Sequence, residues 1–172
     1  QCLEAAINLA PGDAEPYVAL GDIFREQDRF DEALQAYQQA IVLDPKHAEA
    51  HRRLGLLCAQ LGYKEKATAH FQKLVDILPS DAEAQYLLGT AYEQQGRIEE
   101  AQRAYQRAIQ INGQQAEYYV KAGLLYKRTK EYGKAAEMFR HAVRLEPGNA
   151  EAYKQLATVS ALGFISKEPG GA

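Results

Sequence analysis

The sequence predicts an all-α solenoid of helix–turn–helix hairpins, and three observations predict it. Small residues recur every 34 positions, at Gly21, Gly55, Gly89 and Gly123 and at Ala33, Ala67, Ala101 and Ala135. An aromatic follows each of those alanines by four residues: Tyr37, Phe71, Tyr105 and Phe139. Pro11, Pro45, Pro79 and Pro147 punctuate the chain, with Gly113 in the one missing place. The columns keep their period without an insertion or deletion, which coincidence does not produce.

Within each unit the first helix, A, shows one face of 3.6 periodicity. Tyr17, Leu20, Gly21 and Phe24 stand at i, i+3, i+4 and i+7. The same columns read His51, Leu54, Gly55 and Cys58, then Gln85, Leu88, Gly89 and Tyr92, then Tyr119, Ala122, Gly123 and Tyr126. A short turn follows, as at Gln27–Arg29 and Leu61–Tyr63. The second helix, B, then carries its own stripe at Ala33, Tyr37, Ala40 and Ile41. Glycine in a helix interior costs about 1 kcal/mol against alanine, so its recurrence needs a packing reason. The eighth-column Gly and twentieth-column Ala remove bulk where A and B cross, and the twenty-fourth-column ring fills the remaining space. Each closing Pro or Gly ends helix B. Asp13, Asp81 and Asn149 then cap the next A, with Glu15, Glu83 and Glu151 in its favourable first turn.

These columns resemble the tetratricopeptide repeat pattern of aromatic–Leu–Gly–aromatic, Ala, aromatic, Ala, Pro. The resemblance covers roughly residues 1–162. It implies a right-handed superhelical α-solenoid with full repeats at 14–47, 48–81, 82–115 and 116–149. Residues 1–13 read as part of an earlier helix B, and 150–162 as a closing helix A-like cap through Tyr153, Leu156 and Ala157. The last ten residues, 163–172, read as a disordered tail. Departures from the pattern are mild: His51, Cys58 and Lys64 in the second repeat, Gln85 and Gly113 in the third.

Composition excludes several functions. The chain of 172 residues has 47% hydrophobic and 25% charged residues, ordinary for a folded domain. A formal charge of −3 gives no electrostatic reason to expect nucleic acid. No apolar run is long enough to insert in a bilayer. Cys2 and Cys58 are too few for a disulfide framework and fit a reducing compartment, which favours a cytoplasmic location. Starting at Gln1 without a signal peptide, the chain reads as a fragment or a processed product. No cofactor or metal motif is present, and no catalytic constellation. His51 and Cys58 share a face but lie two turns, about 10 Å, apart by the helical rise, too far for a nucleophile and its base. His47 and His51 lack a third ligand for a metal. His70 and His141 have no evident role.

The resemblance further implies that the A helices line a concave groove. Its columns here hold Val18, Asp22, Arg52, Arg53, Leu56, Tyr86, Leu87, Thr90, Val120, Lys121, Leu124 and Lys127. They match neither the Lys/Asn/Arg clamp that family members use for a C-terminal carboxylate nor the asparagine ladder of O-GlcNAc-transferase-like superhelices. They form instead a mixed surface: Leu56, Tyr86, Leu87, Val120 and Leu124 among basic residues, suited to a helix or extended segment with some acids. The all-Glu second column, from Glu15 to Glu151, reads as helix N-terminal electrostatics. Residues 1–47 carry nine acids and three bases while 116–149 carry seven bases and four acids. That polarity could support head-to-tail self-association or be a solvated surface. The expected function is a non-catalytic protein-interaction scaffold in assembly or localisation of a larger complex. The rival is a substrate-recognition arm of a larger enzyme such as a glycosyltransferase.

Overall fold

The computed structural model describes residues 12–165. They are helical apart from short turns, in two units that divide between Ser80 and Asp81. The first unit holds α1 (Glu15–Glu26), α2 (Phe30–Leu43), α3 (Ala48–Gln60) and α4 (Lys64–Ile77). The second holds α5 (Ala82–Gln94), α6 (Ile98–Ile111), α7 (Ala116–Arg128), α8 (Tyr132–Leu145) and α9 (Ala150–Ile165). Odd-numbered helices are the A helices of the repeats and even-numbered ones the B helices. α9 is helical three residues beyond 162, where the tail was expected to begin. The expected partial helix before residue 12, and the tail after 165, lie outside the described residues.

Each hairpin closes over the same contact. A Cβ built on Gly21 would lie 2.5 Å from the Tyr37 ring, and on Gly55 2.6 Å from Phe71. In the second unit the distances are 2.7 Å for Gly89 and Tyr105 and 2.8 Å for Gly123 and Phe139. No side chain fits there unless the ring moves, so the glycines let the ring approach the backbone of the crossing helix closely. Tyr37, Tyr105 and Phe139 are fully buried, as are Ala33, Ala67, Ala101 and Ala135 beside them. Burying each ring removes apolar area worth roughly 2–3 kcal/mol from water, which offsets the helix propensity lost at the glycine.

The turns between A and B need one left-handed residue each. Gly62 (φ 79°) and Gly96 (φ 74°) meet that need without strain, whereas Asp28 (φ 58°) and Lys130 (φ 62°) adopt it against side-chain sterics. Helix B ends where the backbone leaves the helical region, at Asp44, Leu78, Asn112 and Glu146. Proline disfavours the helical region for the residue before it. Asn112, which precedes Gly113 instead, is held by its own side chain: Oδ1 accepts from the Gln114 N–H. The expected caps at Asp13, Asp81 and Asn149 accept backbone N–H groups of the following helix. His47 is a fourth cap, its Nδ1 accepting from the Ala50 N–H at 3.2 Å.

Candidate functional site

In the first unit the charged residues of the expected groove, Asp22, Arg52 and Arg53, are bound into one network. Glu49 lies 3.3 Å from the Arg52 Nε and 2.7 Å from the Arg53 Nε, and Arg53 reaches Asp22 at 3.6 Å. Asp22 in turn accepts a hydrogen bond from the Tyr37 hydroxyl at 2.6 Å. Burial, then this carboxylate, pushes the Tyr37 hydroxyl well above the usual phenol range. The network fixes two arginines with two acids at the surface, and Leu56 stands beside it 40% exposed. Glu49 thus does more than favour its helix N-terminus. Val18 differs from its expected place: it is 4% exposed and offers a partner almost no surface.

In the second unit Tyr86 stacks on Tyr118 with ring centroids 5.1 Å apart, and its hydroxyl donates to Glu117. Burial, then Glu117, raises the Tyr86 hydroxyl out of its ordinary range. Thr90 donates to the Tyr86 carbonyl and lies 3.2 Å from the Tyr105 hydroxyl, which itself donates to Glu93 at 2.8 Å. Lys127 Nζ donates to Gln155 at 2.7 Å. Val120 and Leu124 are half-buried against the cluster of Tyr126, Phe139 and Val159, and Leu87 and Lys121 are half-exposed.

A pattern unforeseen from the sequence emerges. Where the twenty-fourth-column ring is Tyr, the A helix supplies an acceptor for its hydroxyl: Asp22 for Tyr37 and Glu93 for Tyr105. Where the ring is Phe71 or Phe139, the ninth column is Leu56 or Leu124. The four repeats therefore alternate between a polar and an apolar ninth-column residue. The turns alternate in step. Arg29 and Arg97 pair with Glu32 and Glu100 while lying over Phe24 and Tyr92. Lys66 and Lys134 lie instead over Tyr63 and Tyr126. The signal was present as ninth-column residues changing in register with Tyr and Phe.

The fourth column also does common work. The Tyr119 hydroxyl donates to the Gly113 carbonyl, and His51 Nε2 lies 3.2 Å from the Pro45 carbonyl, the equivalent place two repeats earlier. A carbonyl only accepts, so His51 carries its proton on Nε2 and its Nδ1 is an acceptor. The His70 Nδ1, 3.2 Å away, must then be the donor. Burial holds His51 below its usual range and pushes His70 down to about 4, with the neighbouring imidazole adding to the effect. Cys58 is buried, and burial raises its thiol. Among the described residues no group of His, Cys, Asp or Glu is arranged to hold a metal ion, and no helix is long and apolar enough to cross a membrane.

Family profiles described as tetratricopeptide repeats match residues 48–81, 82–115 and 116–149, and one described as a TPR repeat matches 21–62. Among curated proteins none matches by sequence. A crystal structure of MamA superposes with a TM-score of 0.82 at 31% identity, covering 86% of this chain and 81% of that one. MamA from Desulfovibrio magneticus RS-1 superposes at 0.77 with 25% identity, covering 86% and 84%. YrrB, described as a TPR protein with an unusual peptide-binding site, superposes at 0.84 with 22% identity, covering 97% and 86%.

Proposed function

The chain belongs to the tetratricopeptide repeat family, and on that premise we propose that it is a non-catalytic scaffold holding a partner's helix or extended segment against its A helices. The family generally binds proteins or peptides, and the fold shared with YrrB supports the same reading. The observation that carries it is Leu56, a large apolar side chain 40% exposed beside an ordered Asp22–Arg53–Glu49 network. An apolar anchor within a fixed polar frame is the form of a binding hot spot. In the second unit the half-buried Val120 and Leu124 lie on the same A helix as the basic Lys121. The partner this suits has an apolar face with polar groups at its margins, and the role is assembly or localisation of a larger complex.

The test is affinity capture from the native extract with the wild-type chain and with Leu56→Asp/Lys121→Glu, both positions being exposed enough to leave the fold intact. A partner held through the A faces is retained by the wild type and lost by the variant, its affinity falling by roughly tenfold or more. A partner retained equally by both refutes the reading.

A further inference from the structure

The second unit contains a hollow of about 290 Å³ between α8 and α9. Tyr132, Ala136 and Val159 form its apolar walls, and Arg140 and Ser160 stand at its rim. Its origin is legible by comparison with the preceding junction in the same unit, between α6 and α7. There the equivalent places hold Gln102, Tyr126 and Thr129, and the Tyr126 hydroxyl accepts from Gln106. At the α8–α9 junction the same three places hold Ala136, Ser160 and Gly163. Three facing side chains shorten together, and the space they leave is not refilled.

The face of α9 onto which the hollow opens is exposed among the described residues. Tyr153 is 49% exposed, and Ala157 and Ser160 are exposed with it. In the four repeats this face receives a ring against the eighth-column glycine, but α9 carries Ala157 there. Its Cβ occupies the place that lies within 2.8 Å of a ring carbon in every other hairpin. A ring docking there as in the four hairpins would have to sit about 1 Å farther out. The rim charge is uncompensated: Arg140 makes no ion pair among the described residues, and Arg144 follows one turn later against the single acid Glu137. Lys134, nearby on α8, is already paired with Glu131.

We propose that this hollow is a second binding site, separate from the A-face columns, that takes one aromatic or branched side chain of a partner segment whose adjacent carboxylate pairs with Arg140. Apolar walls with one convergent charge are the composition of a specific pocket, and a size near the lower end of the pocket range admits one anchoring residue and no more. At the preceding junction the larger Gln102, Tyr126 and Thr129 hold the equivalent places.

The probe is a fluorescein-labelled acidic peptide with a central Trp, titrated onto the full chain by fluorescence anisotropy. Two control peptides replace the Trp by Ser or the acids by Lys. Saturable binding of the Trp peptide, with both controls weaker by roughly tenfold, is expected. Ala136→Gln/Ser160→Tyr, which restores the residues of the preceding junction, should abolish it. Arg140→Glu, a surface change whose fold circular dichroism verifies, should weaken it by roughly tenfold. Leu56→Asp/Lys121→Glu should leave it unchanged, which separates this site from the A faces. No saturable binding at concentrations on the order of 1 mM, or equal binding by the filled and wild-type chains, overturns the proposal.

Discussion

Gly89→Ala adds one carbon where the structure has no room for it. The new Cβ would lie 2.7 Å from two carbons of the Tyr105 ring and 3.3 Å from the Ala104 Cβ. Carbon pairs rest near 3.5–4.0 Å, so the ring must retreat by about 1 Å. Tyr105 is fully buried and its hydroxyl is tied to Glu93 and Thr90, so retreat also stretches those hydrogen bonds. Overpacking costs about 1–3 kcal/mol and a weakened hydrogen bond about 1 kcal/mol. Alanine's better helix propensity returns about 1 kcal/mol. The net expectation is a destabilisation of about 1–3 kcal/mol. Gly133→Ala is the internal control: it too lies in a helix, but a Cβ there meets nothing within 4 Å, so it should stabilise by up to about 1 kcal/mol. Urea denaturation followed by circular dichroism compares the two variants with the parent. If Gly89→Ala is as benign as Gly133→Ala, the packing explanation of the glycine column is wrong.

Three further expectations concern stability. The His70 imidazole is held near 4 in the folded chain against an unfolded value near 6.5. The unfolded chain therefore binds the proton first, and the contribution, on the order of 3 kcal/mol, is present above about pH 6.5 and lost as pH falls through 4. Urea midpoints between pH 7 and pH 4.5 should drop more for the wild type than for His70→Phe, and parallel curves would exclude the histidine pair as the cause. Lys130→Gly should raise the thermal midpoint, relieving about 1 kcal/mol of left-handed strain, and by more than Asp28→Gly, since aspartate tolerates that conformation better; the reverse order would contradict the turn argument. Tyr105→Phe should cost about 1 kcal/mol through its lost hydrogen bonds, and adding Thr90→Leu should recover part of it by copying the Phe139–Leu124 pairing; an additive or greater loss would show the alternation to be incidental.

The repeat was legible because its signal is steric. Gly21, Gly55, Gly89 and Gly123 stand at places no other residue fills, and a ring follows each at a fixed interval, so spacing alone implied the crossing. The caps at Asp81 and Asn149 were legible for the same reason, being local to one turn. The charge pairing was not. Glu49 and Arg53 lie one helical turn apart and form a pair that sequence can suggest, but Asp22 meets Arg53, and Tyr86 meets Glu117, across 31 residues. Such contacts depend on how one A helix is set beside the next, which periodicity does not specify. His51 looked like a weak core substitute for an aromatic because its partner His70 is 19 residues away on α4. Val18 shares its column with the half-buried Arg52, Tyr86 and Val120, and only packing shows it to be fully buried.

The most direct test of the functional reading is the footprint of a captured partner on the amide spectrum of the labelled chain. Holding through the A helices predicts that the signals of Asp22, Arg53, Leu56, Thr90, Lys121 and Leu124 shift on binding, while Val42, 71% exposed on helix B, stays put. Shifts confined to Val42 and other B-helix positions, with those six unmoved, would contradict the account.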